Sequence, residues 1–245
     1  MNKFLVSTCT ISACIAVLGV SAPGLQQAQK PAKPVRFGDV VLSGFKTASF
    51  ELGVRAAASG PETTLDMVNP KDGTKARLQA EQMTAVLGKP RKGERGTEQV
   101  ERVEVEKRVR FSAERPAGPA GGVQRVSATG SRGILERAKG TLTLEGPVTF
   151  RAERPSEKGG GSETVTGSAD RATYDEPNRV LVLSGNVEAV VVTPNTPAEG
   201  SSFSGDEVRV EMATEPYKVS VENLSLKGRV NMRMKQEDRK PVAPR

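Results

Sequence analysis

The side chains best suited to chemistry in this chain are carboxylates that come in close pairs, Asp170 with Asp175 and Asp206 with Glu207. Two carboxylates whose pKa values are pushed apart can divide the work of general acid and general base. These pairs fall in polar turns or on the wet side of alternating stretches, where a solvated, charged turn is the ordinary explanation. Histidine is absent from all 245 residues. That removes the commonest general base, the commonest metal ligand and every His-dependent triad. The run Gly159-Gly160-Gly161 lacks the lysine and following helix of a phosphate loop, and reads as a flexible connection. No Cys, Asp or Glu grouping has metal-site spacing. No catalytic residue, metal or cofactor is therefore expected.

Composition narrows the partners. Aromatic residues are 4% of the chain and tryptophan is absent, which leaves little material for stacking bases, so no nucleic-acid partner is expected. The net charge of +7 suits a partner carrying phosphates or carboxylates, and it suits solubility equally well because acidic residues are interleaved throughout. The basic cluster Lys89 to Arg95 reads either as a solvated loop or as a contact for an acidic partner.

The elements that must position any site begin after an export segment. Lys3 precedes the apolar run Phe4 to Val20, a secretory pattern, and residues 1–22 read as a signal peptide or, if Pro23 blocks cleavage after Ala22, as an uncleaved anchor through residues 4–20. Ile11-Ser12-Ala13-Cys14 resembles a lipoprotein box, but an apolar run follows where a mature lipoprotein would be polar. Both cysteines, Cys9 and Cys14, lie here. Removal of the segment would leave an exported protein without thiols, held together by packing alone. Residues 23–34 have linker composition, residues 35–235 form one domain, and the tail 236–245 is expected to be disordered.

Within the domain apolar residues recur every second position, the signature of extended chain. Ser168 to Val192 is the clearest stretch: a strand, a turn at Asp175 to Arg179, and a second strand with Leu181, Leu183, Val187 and Val191 in step. Val126 to Arg151 lies over Val165 to Val190 without a gap, and the same spacing carries Phe111-Ser112-Ala113-Glu114-Arg115-Pro116 onto Phe150-Arg151-Ala152-Glu153-Arg154-Pro155. Four units follow, near 76–116, 123–155, 163–194 and 202–235. Val35 to Val54 reads as a first strand or a degenerate repeat, and the sequences PETT and NPKDG between Ala56 and Gly73 read as turns.

Repeats of this size cover one another's apolar faces. Parity separates the faces: Val103, Val105, Val109 and Phe111 oppose Arg102, Glu104, Glu106, Arg108 and Arg110, with Lys107 the exception on the apolar side. One face is dry and the other wet, so the sheet must fold over or pack on another as a sandwich, jelly roll or solenoid. The Pro- and Gly-rich separators at 116–122, 155–162 and 194–202 read as loops on one edge. Gly146, Gly185 and Gly228 stand on the dry face where a bulge or bend would curl the sheet. The dry-face residues are Val105, Val109, Phe111, Leu142, Leu144, Val148, Phe150, Leu181, Leu183, Val187, Val191, Leu224, Leu226, Val230 and Met232. They either close into a packed core or line a groove for acyl chains.

Ala169-Asp170-Arg171-Ala172-Thr173-Tyr174 followed by Leu181-Val182-Leu183-Ser184-Gly185-Asn186-Val187 resembles the repeating unit of the OstA-like, LptA-type lipopolysaccharide-transport family. Lys107 stands where the unit has Gly, and Pro147 where it has Asn. The resemblance implies an all-β fold, an elongated antiparallel β-taco or open β-jelly roll, whose interior shields the acyl chains of lipopolysaccharide in the periplasm. It implies as partners lipopolysaccharide or another amphiphilic lipid, other OstA-like envelope transport proteins, and end-to-end homo-oligomers. The rival expectation is a structural β-repeat envelope protein with a closed core and no ligand.

Overall fold

The computed structural model describes residues 33–222 except 52, 71, 89–98, 118–121, 156–160, 195–199 and 214–217. Residues 1–22, read above as a signal peptide or anchor, the Lys89–Arg95 cluster, the glycine run at 159–160, residues 236–245, and Leu224, Leu226, Gly228, Val230 and Met232 lie outside the described residues. Twelve strands form: β1 (Val35–Phe37), β2 (Val40–Ser43), β3 (Thr47–Glu51), β4 (Arg55–Val68), β5 (Lys75–Gly88), β6 (Gln99–Pro116), β7 (Val123–Glu136), β8 (Thr141–Pro155), β9 (Ser162–Asp175), β10 (Val180–Val192), β11 (Ser201–Glu211) and β12 (Lys218–Glu222). All belong to one antiparallel sheet in the order β1-β2-β4-β5-β6-β7-β8-β9-β10-β11-β12, with β3 paired to β4.

The alternation read from the sequence sets which face is buried. Along β8, Leu142, Leu144, Val148, Phe150 and Ala152 are buried while Thr149 and Arg151 face water. The same alternation runs through β6 and β10. The wet face carries cross-strand ion pairs such as Arg77–Asp66, Arg125–Glu114 and Arg171–Glu145. Exposed pairs of this kind each contribute about 0–1 kcal/mol, so they fix register more than stability.

A crease crosses every long strand. On β6, Lys107 and Arg108 stand opposite the single residue Ser131; on β8, Gly146 and Pro147 stand opposite Asp170; on β10, Gly185 and Asn186 stand opposite Asp206. β4 crowds Gly60, Pro61 and Glu62 against Glu81. The extra residues always lie on β4, β6, β8 and β10, and β-bulges bend a strand toward one side. Their backbone is left-handed, with φ of 66° at Lys107, 51° at Arg108, 90° at Gly146, 75° at Gly185 and 49° at Asn186. Lys107, the parity exception in the sequence, is thus the first bulge residue of β6 and stands exposed.

The structure corrects one reading: Pro61-Glu62-Thr63-Thr64 is no chain reversal but lies inside β4. Its turn chemistry is spent on the crease, where Thr63 Oγ1 donates to the Gly60 carbonyl at 3.0 Å. Pro61, which has no N–H, occupies an unpaired position. The other signal, Asn69 to Gly73, does reverse the chain, with Gly73 N donating to the Asn69 carbonyl at 2.9 Å and Gly73 at φ 71°.

The crease divides each long strand into two halves whose dry faces turn toward each other. One lip of the folded sheet holds the β4–β5 turn and the connections β6–β7, β8–β9 and β10–β11, so the three Pro/Gly separators share one edge. The opposite lip holds the β7–β8 and β9–β10 turns. Contacts between the halves are oblique. Phe111 of β6 meets Tyr174 of β9, with ring centroids 6.4 Å apart, and Arg154 of β8 reaches Met212 just past β11. Both contacts step three strands along the sheet, roughly 14 Å at the usual strand spacing, as expected when a twisted sheet packs on itself. A single cluster of buried side chains runs from Phe37 to Met212.

Candidate functional site

Near Tyr174 the lips stand apart, and between them lies a cavity of about 1270 Å³. Ligand pockets in proteins commonly span about 300–1,000 Å³, so this space exceeds the needs of a small metabolite. Its floor is apolar: Met67, Val100, Phe111, Ala113, Leu135 and Leu142 come from β4, β6, β7 and β8. Most of these belong to, or pack on, the buried cluster, so the floor continues into the core. Its rim carries both signs of charge, with Arg36, Arg115, Arg137 and Lys139 beside Asp39, Asp72, Glu101 and Glu176.

Two ion pairs order the rim. Arg137, in the β7–β8 turn, donates from Nη1 to Asp39 Oδ1 at 2.8 Å and from Nη2 to Asp39 Oδ2 at 2.6 Å. Asp39 sits in the β1–β2 turn beside the end of β4, so this bidentate pair spans from one lip to the other across 98 residues of chain. Arg115 closes the end of β6 with Nη2 2.8 Å from Asp72 Oδ2, while the Thr74 backbone N–H donates to Asp72 Oδ1 at 3.0 Å. Burial raises the Asp72 pKa, but the hydrogen bonds from Thr74 and the Arg115 charge outweigh it, and the carboxyl ends below its ordinary value. Tyr174 is pushed up to about 12, first by desolvation and then by the Glu176 charge, against the pull of Arg115 and Arg179. Its ring packs at a tilt against Phe111 and it lines the cavity, an amphipathic side chain among apolar and charged neighbours.

At the far end of β8, Arg154 donates from Nε (2.9 Å) and Nη2 (2.6 Å) to Glu163 Oε2. Its Nη1 also reaches the Met212 carbonyl at 3.4 Å. The side chains of Arg154 and Glu163 are 12% and 4% exposed, against 26% and 40% for Arg137 and Asp39. Arg154 thus crosses the lips to Met212 from a buried position beside its same-lip partner Glu163, whereas the Asp39–Arg137 pair crosses them in contact with water.

Among the dry-face candidates, Phe111 and Leu142 reach the cavity wall. Val105, Val109, Leu144, Val148, Phe150, Leu181, Leu183, Val187 and Val191 lie in the buried cluster beneath it. The carboxylates weighed for chemistry are placed structurally. Asp170 accepts from Asn186 Nδ2 at 2.8 Å at the crease, and Asp175 accepts from the Asn178 backbone N–H and Nδ2 in its turn. Those bonds, the side-chain one foremost, hold the Asp175 pKa below its ordinary value. Among the described residues no group of three His, Cys, Asp or Glu is placed to hold a metal ion.

The rim residues escaped the sequence reading because each looks like an ordinary charged turn residue. One signal was available. The repeated Phe-x-Ala-Glu-Arg-Pro ending puts Arg115 and Arg154 at equivalent strand ends, and both arginines are ion-paired there, Arg154 the more deeply shielded. Asp39 and Arg137 carry no repeat signature at all.

One antiparallel sheet, creased so that its apolar face turns inward and opens at a charged mouth, defines an open β-taco or jelly-roll domain. The profile of the LptA/(LptD N-terminal domain) LPS transport protein family matches residues 73–216, more than half of the chain, and the chain belongs to that family. The match runs from the β4–β5 turn to just past β11, so it takes in the crease of β6, β8 and β10 and most of the cavity wall. No curated protein and no solved structure matches the chain.

Proposed function

We propose that the protein is a non-enzymatic periplasmic carrier in lipopolysaccharide transport, holding acyl chains at the mouth and along the apolar face while the headgroup stays at the rim. The observation that carries this reading is the cavity, lined by apolar side chains of the sheet's dry face together with charged residues of its strand ends and turns. Burying an acyl chain gains about 0.8 kcal/mol per methylene, so such a floor needs no catalytic group to retain lipid. Arginine and lysine at the rim suit phosphate oxygens. The headgroup must then compete with Asp39 and Asp72 for Arg137 and Arg115, which favours a multiply charged amphiphile over a simple fatty acid. Partnership with other envelope transport proteins and end-to-end self-association follow from exposed sheet edges: every residue of β3 is exposed, and β3 pairs with β4 alone among the described strands.

A photo-crosslinking residue at Leu142, on the floor, and another at Thr149, on the wet face of the same strand, test the carrier reading in the producing cell. Lipopolysaccharide adducts at Leu142 alone support it. Equal labelling, or none at either position, favours the second reading, a structural envelope protein with a closed core, which the depth of Leu144, Val148, Leu183 and Val187 supports. Light scattering over a dilution series tests self-association, and a strict monomer at high concentration counts against it.

A further inference from the structure

The two cross-lip links differ in a way that gives the mouth a fixed end and a free end. Arg154, shielded from water beside its same-lip neighbour Glu163, reaches across to the Met212 carbonyl on the opposite lip. Glu163 holds the buried guanidinium in place, because moving it away would strand a charge in a poor solvent, so the contact with Met212 stays shut. Asp39 and Arg137 tie the lips in contact with water, where an ion pair separates at little cost because both groups regain hydration.

Both latch residues ride on turns rather than strands. Asp39 follows Gly38, at φ 59°, and Arg137 opens the turn that ends at Gly140, at φ 65°. Both also line the cavity, so parting them widens its mouth. The bidentate geometry gives the closed state one defined arrangement, which a scattered surface pair would lack.

We propose that the Asp39–Arg137 pair is a latch on the mouth, and that an amphiphile loads sideways between the lips when the pair parts; this rests on the carrier reading. Sideways loading lets the headgroup remain in water while the chains slide over Leu135 and Leu142. An anionic headgroup would compete with Asp39 for the Arg137 guanidinium, so the cargo itself helps to release the latch.

The test uses the full chain with Cys9→Ser and Cys14→Ser, and measures uptake of dansyl-labelled lipid A by stopped-flow fluorescence. Arg137→Gln and Asp39→Asn are expected to speed uptake about two- to five-fold at low salt, the range set by an exposed ion pair, and to lose the acceleration by salt that the parent shows. Asp39→Cys with Arg137→Cys, oxidised, is expected to block uptake until a reductant is added. The reversed pair, Asp39→Arg with Arg137→Asp, is expected to restore the parent rate. Uptake by the oxidised protein at the parent rate, or Arg137→Gln indistinguishable from the parent, overturns the latch. A lipid-free measurement separates this from failure of the carrier reading. Spin labels at Val68→Cys and Lys139→Cys report the width of the mouth, and Arg137→Gln is expected to broaden their distance distribution. An unchanged distribution overturns the latch even if lipid binds; a broadened one with no lipid uptake by any variant keeps the latch and sinks the carrier.

Discussion

Gly185 and Asp170 compete for one place in the crease. A Cβ added at Gly185 would stand 2.6 Å from Asp170 Oδ2, the same oxygen that accepts the Asn186 side-chain amide at 2.8 Å. The bulge on β10 therefore needs glycine twice over, for its φ of 75° and for the carboxylate that braces the next residue.

Gly185→Ala is accordingly expected to destabilise the fold by about 1–2 kcal/mol from backbone strain, with displacement of Asp170 adding to it. Urea denaturation should show the midpoint falling with an unchanged slope. A midpoint equal to the parent's would mean that the crease tolerates a Cβ.

The β6 bulge makes the opposite case. Lys107 holds φ 66° with a full side chain, exposed and free of the dry face. Lys107→Gly is expected to relieve about 1 kcal/mol of strain, offset in part by greater freedom of the unfolded chain, for a small net gain in stability. A clear loss would show that its side chain is doing something the backbone does not reveal.

Leu183 and Leu142 share the dry parity but differ in their neighbours. Leu183 is fully buried in the cluster, and Leu183→Ala should cost about 2–5 kcal/mol through lost burial and a new void. Leu142 borders a space that already exists, so Leu142→Ala enlarges a hollow rather than opening one and should cost distinctly less. Equal losses in chemical denaturation would argue that the mouth is as tightly packed as the interior.

The Arg154–Glu163 pair is shielded enough for its loss to matter. Glu163→Ala alone is expected to cost about 3–5 kcal/mol by stranding the guanidinium, whereas Arg154→Met with Glu163→Leu should cost much less. The double-mutant cycle measures the coupling, and additive losses would contradict a mutual dependence.

Tyr174 gives the fold an alkaline limit. Its ordinary pKa of 10.0 is pushed up to about 12 in the folded chain, so the native state holds the phenolic proton more tightly than the unfolded one. That contribution is fully present below pH 10 and is lost as pH rises toward 12. In Tyr217→Phe protein, absorbance at 295 nm should report a single tyrosinate transition near pH 12, merging with unfolding; Tyr174→Phe should flatten the stability curve across that window. A transition near pH 10 in the folded protein would place the hydroxyl in water.

Much of this architecture was legible beforehand because strand parity is a local property. Leu181, Leu183, Val187 and Val191 betray their face through the polar residues between them, and Gly185-Asn186 announces a bulge because few other residues adopt that backbone. The misread segment, Pro61 to Thr64, shows the limit. Turn-forming residues bend the chain, but whether the bend reverses a strand or creases it depends on a neighbour's pairing on both sides, here β5.

The sequence by itself determined the repeated hairpins, the dry and wet faces, the bulges at Gly146 and Gly185 and, through Ala169 to Val187, the family. Each of these is written in residues close enough along the chain to constrain one another. Only the tertiary structure decided that the halves meet three strands out of step, that a cavity opens beside Phe111 and Tyr174, and that Asp39 finds Arg137 across 98 residues. The reason is physical. Twist accumulates over the whole sheet before its lips can meet, and a chain with charges on nearly every wet position gives no local sign of which two will face each other when they do.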